Sequence, residues 1–148
     1  MATFPTYNKP VLIRPTREST KIESYVCEED VKQGQVLKPG GTNADEVEPS
    51  DTTGEDVNGV ALTDGSAGDV IDVVEKGMVR LQSADGNISA GDRIASGGGT
   101  TEGSVIAESS GDIVFGQARF DDGGTAGGST LGNVECMVDF TSTDTSHG

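Results

Sequence analysis

The chain has 148 residues, with 25 Asp and Glu against 10 Lys and Arg for a formal charge of −15, and it is 32% hydrophobic, only 4% aromatic and without Trp. That is enough for one domain with a core of small aliphatics; it argues against a large aromatic-lined ligand pocket, and the charge opposes attraction to nucleic-acid phosphates or anionic lipid. No apolar run approaches the roughly 20 residues a membrane helix needs, and the first residues lack the basic-then-apolar layout of an export signal, so the sequence predicts a soluble protein.

In chain order, residues 1–21 come first as an arm. They hold Lys9, Arg14, Arg17 and Lys21 against the single acid Glu18, a balance of +3, whereas the remaining residues carry 24 acids and 6 bases, a balance of −18. Pro5, Pro10 and Pro15 forbid a continuous helix there and favour an extended chain, which would reach about 70 Å if fully stretched. From residue 22 onward, β-branched residues alternate with clusters of Gly, Asp, Asn and Ser, which predicts an all-β domain over residues 22–140. The expected strands are 23–27, 36–38, 57–62, 70–75, 78–82, 93–94, 104–106, 113–120 and 134–140. The last alternates most cleanly, with Val134, Cys136, Val138 and Phe140 on one face. Turns are expected at Asp64-Gly65, Lys76-Gly77, Asp85-Gly86 and Ser110-Gly111, where Gly accepts the positive φ of a tight hairpin. Residues 39–55, 96–103 and 121–132 are polar and Gly-rich and read as surface loops, and 141–148 as a flexible tail. No repeat of fixed period stands out. Eight or nine short strands of this kind fit a small barrel or a sandwich.

The residues offer little for catalysis. The one histidine, His147, is penultimate in a segment with no apolar anchor, so neither a Ser-His-Asp nor a Cys-His arrangement can be placed. The Gly-rich runs at 97–103 and 121–129 lack the Lys of a phosphate-binding loop. Asp85-Gly86-Asn87 and Asp121-Asp122-Gly123 lack the spacing and closing Glu of a calcium loop. No metal and no cofactor is expected. Cys27 and Cys136, 109 positions apart, read as small core residues, with a disulfide between them left open. Lys76, at an expected hairpin tip after Gly68-Asp69, resembles the modified lysine of lipoyl or biotinyl carrier domains, although its neighbours Glu75 and Gly77 depart from that pattern. A host-glycan-binding fibre domain is a further alternative, with few aromatics to stack on sugars. The acids are spread along the chain instead of gathered in a tail, which predicts a solvated, salt-adapted surface.

The succession of elements resembles a known family. Val31-Lys32-Gln33-Gly34-Gln35-Val36-Leu37, then Val57-Asn58-Gly59-Val60-Ala61-Leu62, then the run from Ala67-Gly68-Asp69 to Gly77-Met78-Val79 is similar to the small capsid decoration, or cement, proteins of tailed viruses. Ser89-Ala90-Gly91-Asp92-Arg93-Ile94 resembles that family's turn into the next strand, and Val114-Phe115-Gly116-Gln117-Ala118 its penultimate strand. The resemblance covers residues 26–140. It implies a β-barrel or β-tulip-like domain that stands as a homotrimer on the outer surface of an icosahedral head, at local threefold positions between capsomers of the major capsid protein. The protein would be made in the host cytoplasm, with no enzymatic activity and no nucleic-acid, membrane or small-molecule partner. The acidity adds a haloarchaeal tailed virus as the expected source. In such proteins an N-terminal arm lies along the capsid, which assigns Phe4, Tyr7, Lys9, Arg14, Arg17 and Lys21 here as contacts and Val11, Leu12 and Ile13 as an added strand on a capsid edge. The other reading of Val11 to Ile13 is a first strand of the protein's own barrel. The long loops at 39–55 and 121–132 depart from the family as insertions.

Overall fold

Short runs of Val and Ile become ten strands, with no helix among the described residues, in the computed structural model, which describes residues 11–14, 20–43, 45–84, 87–99, 101–119 and 134–140. They are β1 (Leu12–Arg14), β2 (Lys21–Cys27), β3 (Val36–Pro39), β4 (Glu46–Pro49), β5 (Gly59–Ala61), β6 (Val70–Leu81), β7 (Arg93–Ser96), β8 (Val105–Ala107), β9 (Val114–Ala118) and β10 (Val134–Asp139). The all-β fold class read from the sequence is therefore found. The Gly-rich run at 121–132, the tail at 141–148, His147 and the Asp85-Gly86 turn lie outside the described residues.

All ten strands belong to one mixed sheet organised around β6. The first half of β6 pairs antiparallel with β2 and with β5, and because β5, β3, β4 and β2 are themselves successive neighbours, these five strands close into a ring. The second half of β6 pairs with β1 and β10, and from β10 the sheet runs through β9 and β7 to β8. A parallel bridge from Ser83 to Val105 then brings β8 back beside the end of β6. The result is a pair of curled sheets sharing one 12-residue strand.

That arrangement puts a core on each side of the shared strands. Leu37, Ala61 and Val73 face a small core with Cys27, Val31, Val47 and Ile71, whereas their chain neighbours Val36, Val60 and Val74 face a larger one built on Leu81, Ile94, Val105, Cys136 and Val138. Successive side chains of a strand point to opposite faces, so three strands buried on both sides require paired apolar residues in sequence. Both cysteines are buried free thiols, one in each core, and burial pushes both thiols up in pKa.

Three sequence expectations need correction. Asp64-Gly65 is not the turn: Gly65 sits in an antiparallel bridge to Val31 without positive φ, and the chain turns at Ala67-Gly68 instead, with Gly68 at φ +93°. Lys76-Gly77 does not turn: β6 runs straight through, because β10 pairs across the junction while β2 reaches Lys76 and β1 takes over at Met78, with Gly77 at φ +149° beneath Leu12 and Thr20. The stretches 39–55 and 96–103 are not simply surface loops. The first contains β4, in which Val47 is fully buried; in the second Ser96, Gly97, Gly98, Thr101 and Gly103 are buried. A polar knot makes this burial tolerable. Ser50 and Ser96 hydroxyls hydrogen-bond to each other, the Gly98 N–H donates to Ser96 Oγ at 3.1 Å, and Gly103 donates to the Ser50 carbonyl at 2.8 Å. Glu55 accepts from the Ser50 hydroxyl at 2.7 Å and from the N–H groups of Asp51 and Thr52 at 2.9 and 2.8 Å. Hydroxyl and carboxylate oxygens thus satisfy backbone groups that would otherwise be costly to bury.

One turn is used three times. At residues 66–69, 89–92 and 109–112 the leading Ser N–H donates to the closing Asp Oδ2 at 2.8 Å, and the Asp N–H donates back to the Ser carbonyl at 2.9 to 3.0 Å. The third residue is Gly at φ +93°, +91° and +91°. Each turn leads into a strand: β6, β7 and β9.

Candidate functional site

The base of the expected arm is where the structure has most to say about function. Val11 is buried at 2% exposure, its carbonyl accepts a hydrogen bond from the Arg80 N–H at 2.8 Å, and Leu12 packs against the larger core. Leu12 and Arg14 stand opposite Val79 and Met78 of β6. Residues 12–14 are thus a strand of the chain's own sheet, the second of the two readings the sequence left open. The Val11 and Leu12 side chains are spent on the core. Phe4, Tyr7, Lys9 and Arg17 lie outside the described residues, as do the side chains of Ile13 and Arg14.

Lys21 opens β2 beside this anchor. Its Nζ lies 3.2 Å from Glu75 Oε1 and 3.8 Å from Glu23 Oε1, and the Tyr25 hydroxyl donates to the Glu75 carboxylate. Burial, reinforced by the hydrogen bond to Glu75, pushes the Tyr25 phenol up to about 12. With Ser24 and Asp45 these side chains line an open groove of 430 Å³ at the mouth of the five-stranded ring. The β2 strand forming one wall is exposed from Lys21 to Ser24, and Ile22 is among the exposed large hydrophobic residues, with Val70 across the sheet.

On β3 and β4 a second polar cluster gathers three carboxylates around one ammonium. Lys38 Nζ serves Asp51 at 2.8 Å, Glu48 at 3.1 Å and Glu55 at 3.8 Å; the Asp51 hydrogen bond holds the ammonium well above its usual range. Burial, with Glu28 facing it, pushes Glu48 up, while the Gly41 N–H holds Glu28 down. Among the described residues no three carboxylate, His or Cys side chains gather as a cation site. Lys76 lies within β6, 3.9 Å from Asp139 on β10. That removes the hairpin tip on which the carrier-domain reading depended.

Sequence reasoning set residues 1–21 apart by their charge break and prolines, of which only 11–14, 20 and 21 lie among the described residues, and it missed the exposed first half of β2. The signal for that was the polar-apolar-polar order Lys21-Ile22-Glu23, which is unremarkable until the sheet shows which edge it occupies.

No protein-family model and no curated protein sequence matches the chain. Among solved structures, the crystal structure of the head fiber gp8.5 N base in bacteriophage phi29 superposes with a TM-score of 0.55 at 18% identity, over 84% of this chain and 98% of that one. At that identity the likeness is one of fold: this chain has the same β architecture as the base of a phage head fiber.

Proposed function

We propose that this chain is a structural virion protein that decorates the outside of an icosahedral head, bridging capsomers of the major capsid protein as trimers at local threefold positions. The observation that carries this reading is the fold likeness to a phage head-fiber base over most of both chains. The role needs no catalysis. A shell pressed outward by packaged DNA fails first at its capsomer junctions, and a subunit that binds several capsomers at once lowers the free energy of the assembled state alone.

In this reading the acidic β body stays solvated while the basic arm docks. Phe4, Tyr7 and Lys9 reach the capsid ahead of the anchor at Val11, with Arg14 and Arg17 supplying charge between Val11 and β2, while Lys21 is held by Glu75. The positive arm on a negative body suits an acidic capsid surface, as in a virus of a salt-loving host.

The test is co-sedimentation with undecorated heads of the virus that encodes the protein, using the full chain and a chain lacking residues 1–10. This deletion keeps Val11 and β1, which a cut at residue 21 would tear from the sheet. Saturable binding that the deletion abolishes supports a decoration protein that uses its arm. Binding that survives the deletion moves the contacts to the β body, and no binding by the full chain overturns the proposal.

A further inference from the structure

The first half of β2 offers its partner-facing edge without a neighbour among the described residues. On one side β2 pairs with β6 from Lys21 to Val26; on the other, β4 pairs with it only at Val26 and Cys27. The Val26 N–H donates to Asp45 on the β4 side, and the Cys27 N–H to Asp69 on the β6 side. Because backbone groups alternate along a strand, the N–H and C=O of Ser24 and Ile22 point the same way as those of Val26, past the end of β4 toward the open edge.

We infer that this edge is a contact between two copies of the chain, paired antiparallel about Ile22. An antiparallel pair that uses these groups must set even-numbered residues opposite even-numbered ones, which leaves few registers. With Ile22 opposite Ile22 of the second copy, Lys21 of each faces Glu23 of the other, and the exposed Ile22 side chains cover one another. Sliding by two residues in one direction sets Glu23 against Glu23; in the other it sets Lys21 against Lys21. Opposite charges directly across an antiparallel pair stabilise it and like charges oppose it, so one register is selected. Charged residues on an edge ordinarily guard it against pairing; here their order is self-complementary about a twofold axis. The contact stands independently of the capsid reading. On a head carrying trimers at local threefold positions, it would join neighbouring trimers across local twofold axes.

The test is disulfide trapping of the full-length Ile22→Cys variant in about 0.15 M salt, where repulsion between the acidic bodies is screened beyond roughly 8 Å. Cys27 and Cys136 are buried, so the wild-type chain is the blank. Ile22→Cys is expected to form a covalent dimer that the wild type does not. Adding Lys21→Glu is expected to cut trapping about tenfold through loss of two cross-strand charge pairs, and further adding Glu23→Lys to restore it. In the wild-type protein, amide exchange at Ile22 and Ser24 is expected to slow as concentration rises. No dimer above the blank, stronger trapping by Glu23→Cys than by Ile22→Cys, indifference to Lys21→Glu, or concentration-independent exchange would each overturn the inference. None of these outcomes bears on whether the protein binds a capsid.

Discussion

The two cores lie on opposite faces of the same three strands, yet they are built differently. The larger takes Leu81, Ile94 and a stacked Phe115–Phe140 pair, with ring centroids 4.8 Å apart and 19° between planes. The smaller, inside the five-stranded ring, has only Val, Ile, Leu, Ala and Cys, with Tyr25 at its mouth. A closed ring of five strands leaves room for small side chains alone; the open, curling half accommodates rings. The contrast teaches that the apolar pairs Val36-Leu37, Val60-Ala61 and Val73-Val74 are a two-sided requirement of the shared strands and not a redundancy.

The largest effect should come from the larger core. Phe115→Ala removes a ring that is 4% exposed and strips Phe140 of its partner, so unfolding in denaturant is expected to show a loss of about 3–5 kcal/mol. If the loss were under about 1 kcal/mol, the ring would not be the packing element described here. Next comes the knot that joins β4 to the β7–β8 turn. A Cβ on Gly98 would sit 2.4 Å from the Ser50 carbonyl oxygen, so Gly98→Ala is expected to cost about 1–3 kcal/mol as overpacking, and Gly91→Ala far less by contact because nothing lies within 4 Å there. Gly91→Ala still meets the strain of φ +91°.

In the small core the expected cost is lower again. Ile71→Val should remove about 0.5–1.5 kcal/mol, the usual range for one buried methylene. The smallest effect is at the mouth. Burial and the hydrogen bond to Glu75 push the Tyr25 phenol up to about 12 from its ordinary 10.0, so the native chain holds this proton where the unfolded chain releases it. Its contribution is complete below about pH 10 and is lost as pH rises toward 12. Tyrosinate absorbance should therefore show Tyr25 ionising late, and Tyr25→Phe should remove that late step and flatten this part of the stability profile. A single titration near the ordinary phenol value would show that Tyr25 is neither buried nor bonded to Glu75 in solution as described.

Much of the β architecture was legible because alternation survives in short strands: Cys136 and Val138 face inward on β10 as their spacing required. What was not legible depended on partners distant in sequence. Lys76-Gly77 has the composition of a turn, and only strands from residues 21 and 139 hold it straight. β4, Glu46-Val47-Glu48-Pro49, carries two glutamates and a proline, and only its pairing with β3, where Lys38 lies 3.1 Å from Glu48, makes it a strand. The three Ser-x-Gly-Asp turns escaped notice as a repeat because they recur at unequal spacing. The charge break near residue 21 is a property of the sequence, whereas the burial of Val11 and the open edge at Ile22 are properties of the sheet.

The proposed place of this chain is on the outside of a viral head. Peptide mass spectrometry of purified particles, before and after brief protease treatment of intact heads, tests it most directly. This protein is then expected at a fixed ratio to the major capsid protein, and is expected to be lost under protease while packaged DNA stays protected. Its absence from the particles, or its full protection inside them, would contradict the account.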